Sequence, residues 1–181
     1  GAGVPVLLIR SGMKQPEGGT FRRIMVPLDG SAYAEAALSY AVQIARAFDA
    51  ELSLVRVAET TQIYAMLTPS AQAPASVETL NEVVAQLVAD ANAYLAKVGE
   101  RLTGEGLRVR TQTLEGIAAE QLLAYEQEED IDLIVMATHG RSGFSRLVFG
   151  SVAERVLRLG KTPVMMVKPK GEIAESGDAG N

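Results

Sequence analysis

Apolar positions along the chain change spacing several times, and each change marks a new element. Arg22 to Leu28 (RRIMVPL) is a short apolar run that predicts a buried strand. Asp29, Gly30 and Ser31 then supply a turn and a helix N-cap, after which Leu38, Ala41, Val42, Ala45 and Phe48 recur at helical spacing and predict a helix over about 32–48. Glu51 to Ala58 (ELSLVRVA) alternates and predicts a second strand. Pro69 and Pro74 break the following stretch, so 59–75 reads as a long loop. From Ser76 onward Val77, Leu80, Val84, Leu87, Ala91, Leu95, Val98 and Leu102 return every three or four residues, which predicts one helix about 40 Å long that Gly104 and Gly106 stop. Core packing accounts for that stripe without any cofactor.

The second half repeats the alternation. Arg108 to Leu114 is a more polar strand suited to a sheet edge, and Gly116 opens a short helix through about Gln127 that an acidic turn (Glu128 to Asp130) closes. Leu133 to Met136 is again apolar. It breaks into a loop with Gly140, Gly143 and Gly150, then a helix with Val152, Val156 and Leu159 on one side that Gly160 ends, and Pro163 starts a last apolar run, Val164 to Val167. Strands alternating with helices, joined by right-handed crossovers, give an α/β fold: a doubly wound parallel sheet with helices on both faces.

Composition narrows what such a fold can do here. The chain has 181 residues, enough for one domain with extensions, and at 48% hydrophobic residues with a net charge of -5 it is not a general nucleic-acid binder. It has no cysteine, which excludes a disulfide frame, a thiolate zinc site and a cysteine nucleophile. No apolar run approaches the ~20 residues of a membrane helix, and the N-terminus lacks a secretory pattern, so a cytoplasmic, membrane-free protein is expected. His139 is the only histidine. It excludes multi-histidine metal sites, and GRSGF around Ser142 does not match the G-x-S-x-G nucleophile elbow. No catalytic residue and no protein metal site is expected.

Against this background the loop after Met136 stands out. A loop leaving a parallel strand feeds a helix N-terminus, where unpaired N–H groups and the helix dipole favour an anion. Glycines at 140, 143 and 150 let the backbone approach such a group, Ser151 offers a hydroxyl, and Arg141, Arg146 and Arg155 add positive charge. The same residues fit a plain turn with Ser151 as N-cap. The loop is not a P-loop, since no GK[ST] follows the glycines, and the first strand leads into DGSAYAEAA without the G-x-G-x-x-G of a dinucleotide site. Asp29, just past the first strand, sits where open α/β sheets bind ligands, and it equally fits a helix cap.

This segment resembles the signature of the universal stress protein family, whose nucleotide-binding members carry Gly, two residues, Gly, nine residues, Gly, then Ser or Thr. The matching positions here are Ala137, Gly140, Gly150 and Ser151, with alanine in the first place. If that position needs φ > 0 or must approach phosphate, Ala137 weakens binding; if it stays strand-like, alanine fits at little cost. VPLDGS likewise resembles the family's first-strand motif. The resemblance spans about Arg22 to Lys168 and implies a five-stranded, flavodoxin-like (Rossmann-like) sheet of order 3-2-1-4-5. It implies an ATP site in which Asp29 and Val57 hold the adenosine end, with Pro27, Leu28 and Met136 on its walls. Ala137, Gly140, Arg141, Gly143, Gly150, Ser151 and Val152 would surround the phosphates, and Mg²⁺ would be held through those phosphates and water. It implies a nucleotide-binding stress-response protein, with slow hydrolysis at most, rather than a dedicated enzyme, and a homodimer paired through Val164 to Val167. An interaction module of the same fold that binds no nucleotide is the alternative, and Ala137 keeps it open.

An internal repeat completes the reading. Val4 to Arg10 (VPVLLIR) parallels Thr162 to Lys168 (TPVMMVK) position by position. Since the second copy is the last strand of the family domain, the first is expected to be the closing strand of a preceding similar domain, unless it is an unrelated strand or an expression remnant. The expected organisation is therefore an extension and linker over 1–20, the domain over 21–169 and a polar, disordered tail over 170–181.

Overall fold

A computed structural model describes residues 5–65, 76–138 and 149–168. The elements run β1 (Val6–Leu8), β2 (Arg23–Pro27), α1 (Ala32–Phe48), β3 (Glu51–Ala58), α2 (Thr61–Ala65), α3 (Val77–Gly104), β4 (Arg108–Glu115), α4 (Ala118–Glu128), β5 (Leu133–Ala137), α5 (Ser151–Leu159) and β6 (Val164–Val167). One sheet holds all six strands in the order β1-β6-β5-β2-β3-β4. The five strands β2 to β6 pair in parallel and reproduce the expected 3-2-1-4-5 order. The sixth is a correction: β1 adds to the edge antiparallel to β6, so the sheet is mixed. The expected tail, 170–181, lies outside the described residues.

Strand side chains alternate between faces, and that period divides the core in two. Ile24, Val26, Leu52, Leu54, Leu133 and Val135 meet the apolar stripes of α1 and α3. Met25, Val55, Ile134, Met136 and Met166 meet Leu122 and Tyr125 of α4 and Ala153 and Val156 of α5 on the other side. Helix ends follow local chemistry. Ser31 and Ser76 cap α1 and α3 by accepting from the N–H of Ala34 and Thr79. β4, the polar strand, forms the far edge, as its composition predicts.

Gly160 is the C-cap that ends α5. Its φ of -64° is open to any residue, so no left-handed turn requires glycine there. A Cβ would lie 2.6 Å from the Val156 carbonyl oxygen and 3.2 Å from Glu126 Oε2, so close packing is what calls for glycine.

That neighbour, Glu126, is a buried carboxylate with one satisfied oxygen. Oε1 accepts the Lys161 N–H at 2.8 Å, while Oε2 has no hydrogen-bond partner. Burial pushes its pKa above the ordinary 4.5, with the Lys161 N–H and nearby Thr162 opposing the rise. The folded chain thus holds this proton more tightly than the unfolded one. Stability from this group is fully present below pH 4.5 and is lost as pH rises through the raised folded value. Glu126→Gln, neutral throughout, is expected to flatten that slope. Its melting midpoint should rise above the parent's at pH 7, where the parent carries a buried charge, and the gain should vanish towards pH 4, where the parent carboxyl is protonated as well. Midpoints measured across that range check it.

Candidate functional site

The switch point of this sheet lies between β2 and β5, which pair in parallel from Ile24 opposite Leu133. Their carboxyl ends open on a crevice of about 580 Å³. Pro27, Leu28 and Asp29 at the end of β2 line one side, Met136, Ala137 and Thr138 at the end of β5 the other, and Val57, next to last in β3, lies beside them. Gly150, Ser151 and Val152 at the start of α5 close the wall. Asp29 and the glycine-loop helix, 122 residues apart in sequence by the numbering of Asp29 and Ser151, therefore face one space.

Local hydrogen bonds hold both walls. Asp29 Oδ1 accepts from the Ser31 N–H at 2.9 Å and from the Ser31 hydroxyl at 2.6 Å, so the aspartate braces the turn into α1. The cap itself is Ser31. Across the crevice the Thr138 N–H donates to the Val167 carbonyl and the Gly150 N–H to the Thr138 carbonyl, each at 2.9 Å, which ties the start of α5 to the end of β5. Gly150 is the N-cap of α5 and Ser151 its first helical residue, without a side-chain cap. Ser151 as N-cap is thereby excluded. The N–H groups of the first helical turn lack intrahelical acceptors by geometry and concentrate the positive end of the helix dipole at this wall.

Ala137 is strand residue to its end, paired opposite Val167. Its backbone is extended, so the alanine costs no conformational strain, the second of the two alternatives posed by the sequence. Arg155 turns away from the crevice to pair with Glu120 at 3.1 Å on α4. Gly140, Arg141, Gly143, Arg146, His139 and Ser142 lie outside the described residues.

The crevice also has a wall that sequence reasoning missed. Arg56, on the face of β3 opposite Val57, lines it together with Leu87 and Ala91 of α3. The Arg56 guanidinium lies over the Tyr94 ring at 5.0 Å, and Gly30, with φ of 86°, leaves room for it: a Cβ there would come within 3.2 Å of Nη1. The Tyr94 hydroxyl donates to Glu35 Oε1 at 2.9 Å, locking α3 to α1. Burial and then that carboxylate push the Tyr94 pKa far up, so it stays a neutral donor. Arg56 is half-buried and lines the crevice together with Asp29, at the adenosine end of the expected site. An arginine in an otherwise apolar strand end, LVRVA, was the available signal.

Among the described residues no group of three or more His, Cys, Asp or Glu could hold a metal, and no helix is long and apolar enough to cross a membrane. The crevice can hold a ligand with a flat apolar part, against Val57, Leu122 and Met136, and an anionic end at α5.

A model of the universal stress protein family matches residues 20–168. Universal stress protein MJ0531 of Methanocaldococcus jannaschii is 33% identical over 153 residues, covering 84% of this chain and 85% of its own length. The solved structure of hypothetical protein MJ0577 superposes with a TM-score of 0.72 at 25% identity, over 84% of this chain and 99% of that one. A universal stress protein solved in complex with cAMP has a TM-score of 0.58 at 23% identity, over 82% and 98% of the two chains. One from Archaeoglobus fulgidus DSM 4304 (TM-score 0.63, 23% identity) matches 91% of this chain with 50% of its own.

Proposed function

The chain belongs to the universal stress protein family, and from that premise we propose that its crevice binds an adenine nucleotide, ATP in the first place, in a cytoplasmic stress-response role. One observation carries the reading: Asp29 and the N-terminus of α5 line the same 580 Å³ space at the switch point, where α/β sheets take their ligands. A structural neighbour solved with cAMP supports the ligand class. Asp29 and Val57 hold the adenosine end, with Pro27, Leu28 and Met136 as walls. Ala137, Gly140, Arg141, Gly143, Gly150, Ser151 and Val152 surround the phosphates, and the phosphates carry any Mg²⁺. The extended backbone of Ala137 favours this reading over the module that binds no nucleotide. Binding is the function, with hydrolysis slow at most.

For the organisation of the chain we read 1–20 as the closing strand of a preceding similar domain plus a linker, 21–169 as the domain and 170–181 as its tail. The family match beginning at residue 20 supports that boundary. Pairing with a second copy through Val164–Val167 belongs to the same reading, but in this structure β1 already fills that edge.

The test is the melting midpoint with and without ATP and Mg²⁺, with ADP and AMP in parallel. At one hundred times its Kd, ATP should add about 2.7 kcal/mol. An unchanged midpoint with all three would favour the interaction module.

A further inference from the structure

Near its end β3 carries two neighbours that face opposite ways. Successive strand side chains alternate between faces, so Val57 packs with the cluster under α4 and α5 while Arg56 reaches the Tyr94 ring on α3. Both line the crevice. The crevice therefore has an apolar side, with Val57, Leu122 and Met136, and a polar side, where Arg56 meets the turn at Asp29 and Gly30.

The guanidinium is held by more than one contact. Its Cζ lies 5.0 Å from the centre of the Tyr94 ring, and a Cβ on Gly30 would come within 3.2 Å of Nη1 and 3.4 Å of both Cζ and Nη2. Distances so nearly equal put Gly30 over the face of the group, not at its edge. The N–H bonds lie in the guanidinium plane, edgewise to that contact. Tyr94 is fixed in turn, since its hydroxyl donates to Glu35 Oε1. The cation is thus set in place before any ligand arrives.

Charge decides what those N–H groups can meet. The ionisation of Tyr94 feels Glu35 and Asp29 as well as Arg56, so carboxylates stand close to this cation. A phosphate on this side would be repelled by them, which favours a neutral acceptor. A hydroxyl suits the place, because it can accept from Arg56 while donating to a carboxylate such as Asp29. The base is not that partner: its flat apolar surface belongs with Val57, Leu122 and Met136, on the other side of β3.

Taking the nucleotide reading of the crevice as its basis, we infer that Arg56 determines specificity for the sugar. Its guanidinium donates to a ribose 2′ or 3′ hydroxyl, and the site selects ribonucleotides over nucleotides that lack both.

Calorimetric titration of the chain with ATP and with 2′,3′-dideoxy-ATP, each with Mg²⁺, makes the test. ATP should bind about tenfold more tightly, the scale of one hydrogen bond to a charged group. In Arg56→Met, which keeps an apolar stem and loses every donor, that preference should disappear through weaker ATP binding. Three results would overturn the inference: a parent that binds both compounds equally, a variant that keeps the preference, or a variant that weakens both alike, which would make Arg56 a plain wall. Each of these leaves the nucleotide site standing, whereas a parent that binds neither compound ends both readings. Should Arg56→Met fail to fold, the Arg56 guanidinium resonance of the parent decides. It should move with ATP and hold still with 2′,3′-dideoxy-ATP, and equal movement with both would overturn the inference.

Discussion

Gly150→Val should fold and should show no thermal response to ATP. The N-cap backbone at Gly150, φ -60° and ψ 152°, is open to any residue, and the nearest atom to an added Cβ is the Thr138 carbonyl oxygen at 3.8 Å, an ordinary contact. Valine caps a helix less well than glycine, so the free protein should lose about 1 kcal/mol at most. The branched side chain would stand in front of the first-turn N–H groups of Ser151 and Val152, where the phosphates are placed. The gain of about 2.7 kcal/mol at one hundred times the parent's Kd should then disappear. Paired melting curves of parent and variant, with and without nucleotide, make the comparison. A variant that binds as the parent does would remove the phosphates from this helix end.

Leu54→Ala should do the reverse. Leu54 is fully buried in the middle of β3 and packs into the cluster beneath α1 and α3. Truncation removes the contacts of a leucine side chain and leaves a cavity that a sheet held by neighbours on both sides cannot close. The expected cost is about 2–5 kcal/mol. Denaturant unfolding should show a lower midpoint with an unchanged slope, and the nucleotide response should survive at temperatures where the variant stays folded. A cost below about 1 kcal/mol would mean the core is looser there than its burial indicates.

The pair of variants separates what the sequence made legible from what it did not. Hydrophobic spacing found β2 to β6 and the long helices because each is a local pattern, of period two or near 3.6, that burial then rewards. It missed α2, since TQIYA is too short to show a period and lies in a proline-bounded stretch. It found β1 as a strand through its likeness to β6 but could not pair it, because register across 158 positions is a tertiary property. Gly160 was legible as a helix stop and illegible as a packing contact with Val156 and Glu126. At the crevice, Asp29 and the α5 terminus converge as the strand order requires. The Glu35, Tyr94 and Arg56 chain could not be read in advance, since it joins α1, α3 and β3 only once the sheet has brought them together.

What most directly decides whether two remote segments serve one ligand is a titration of ATP into the isotope-labelled chain, following backbone amide resonances. Those of Asp29 and Gly30 on one wall and of Gly150, Ser151 and Val152 on the other should shift together and fit a single Kd, while amides of β4 on the far edge stay still. Shifts confined to one wall, two unrelated affinities, or no response at millimolar ATP would contradict a nucleotide held between β2 and α5.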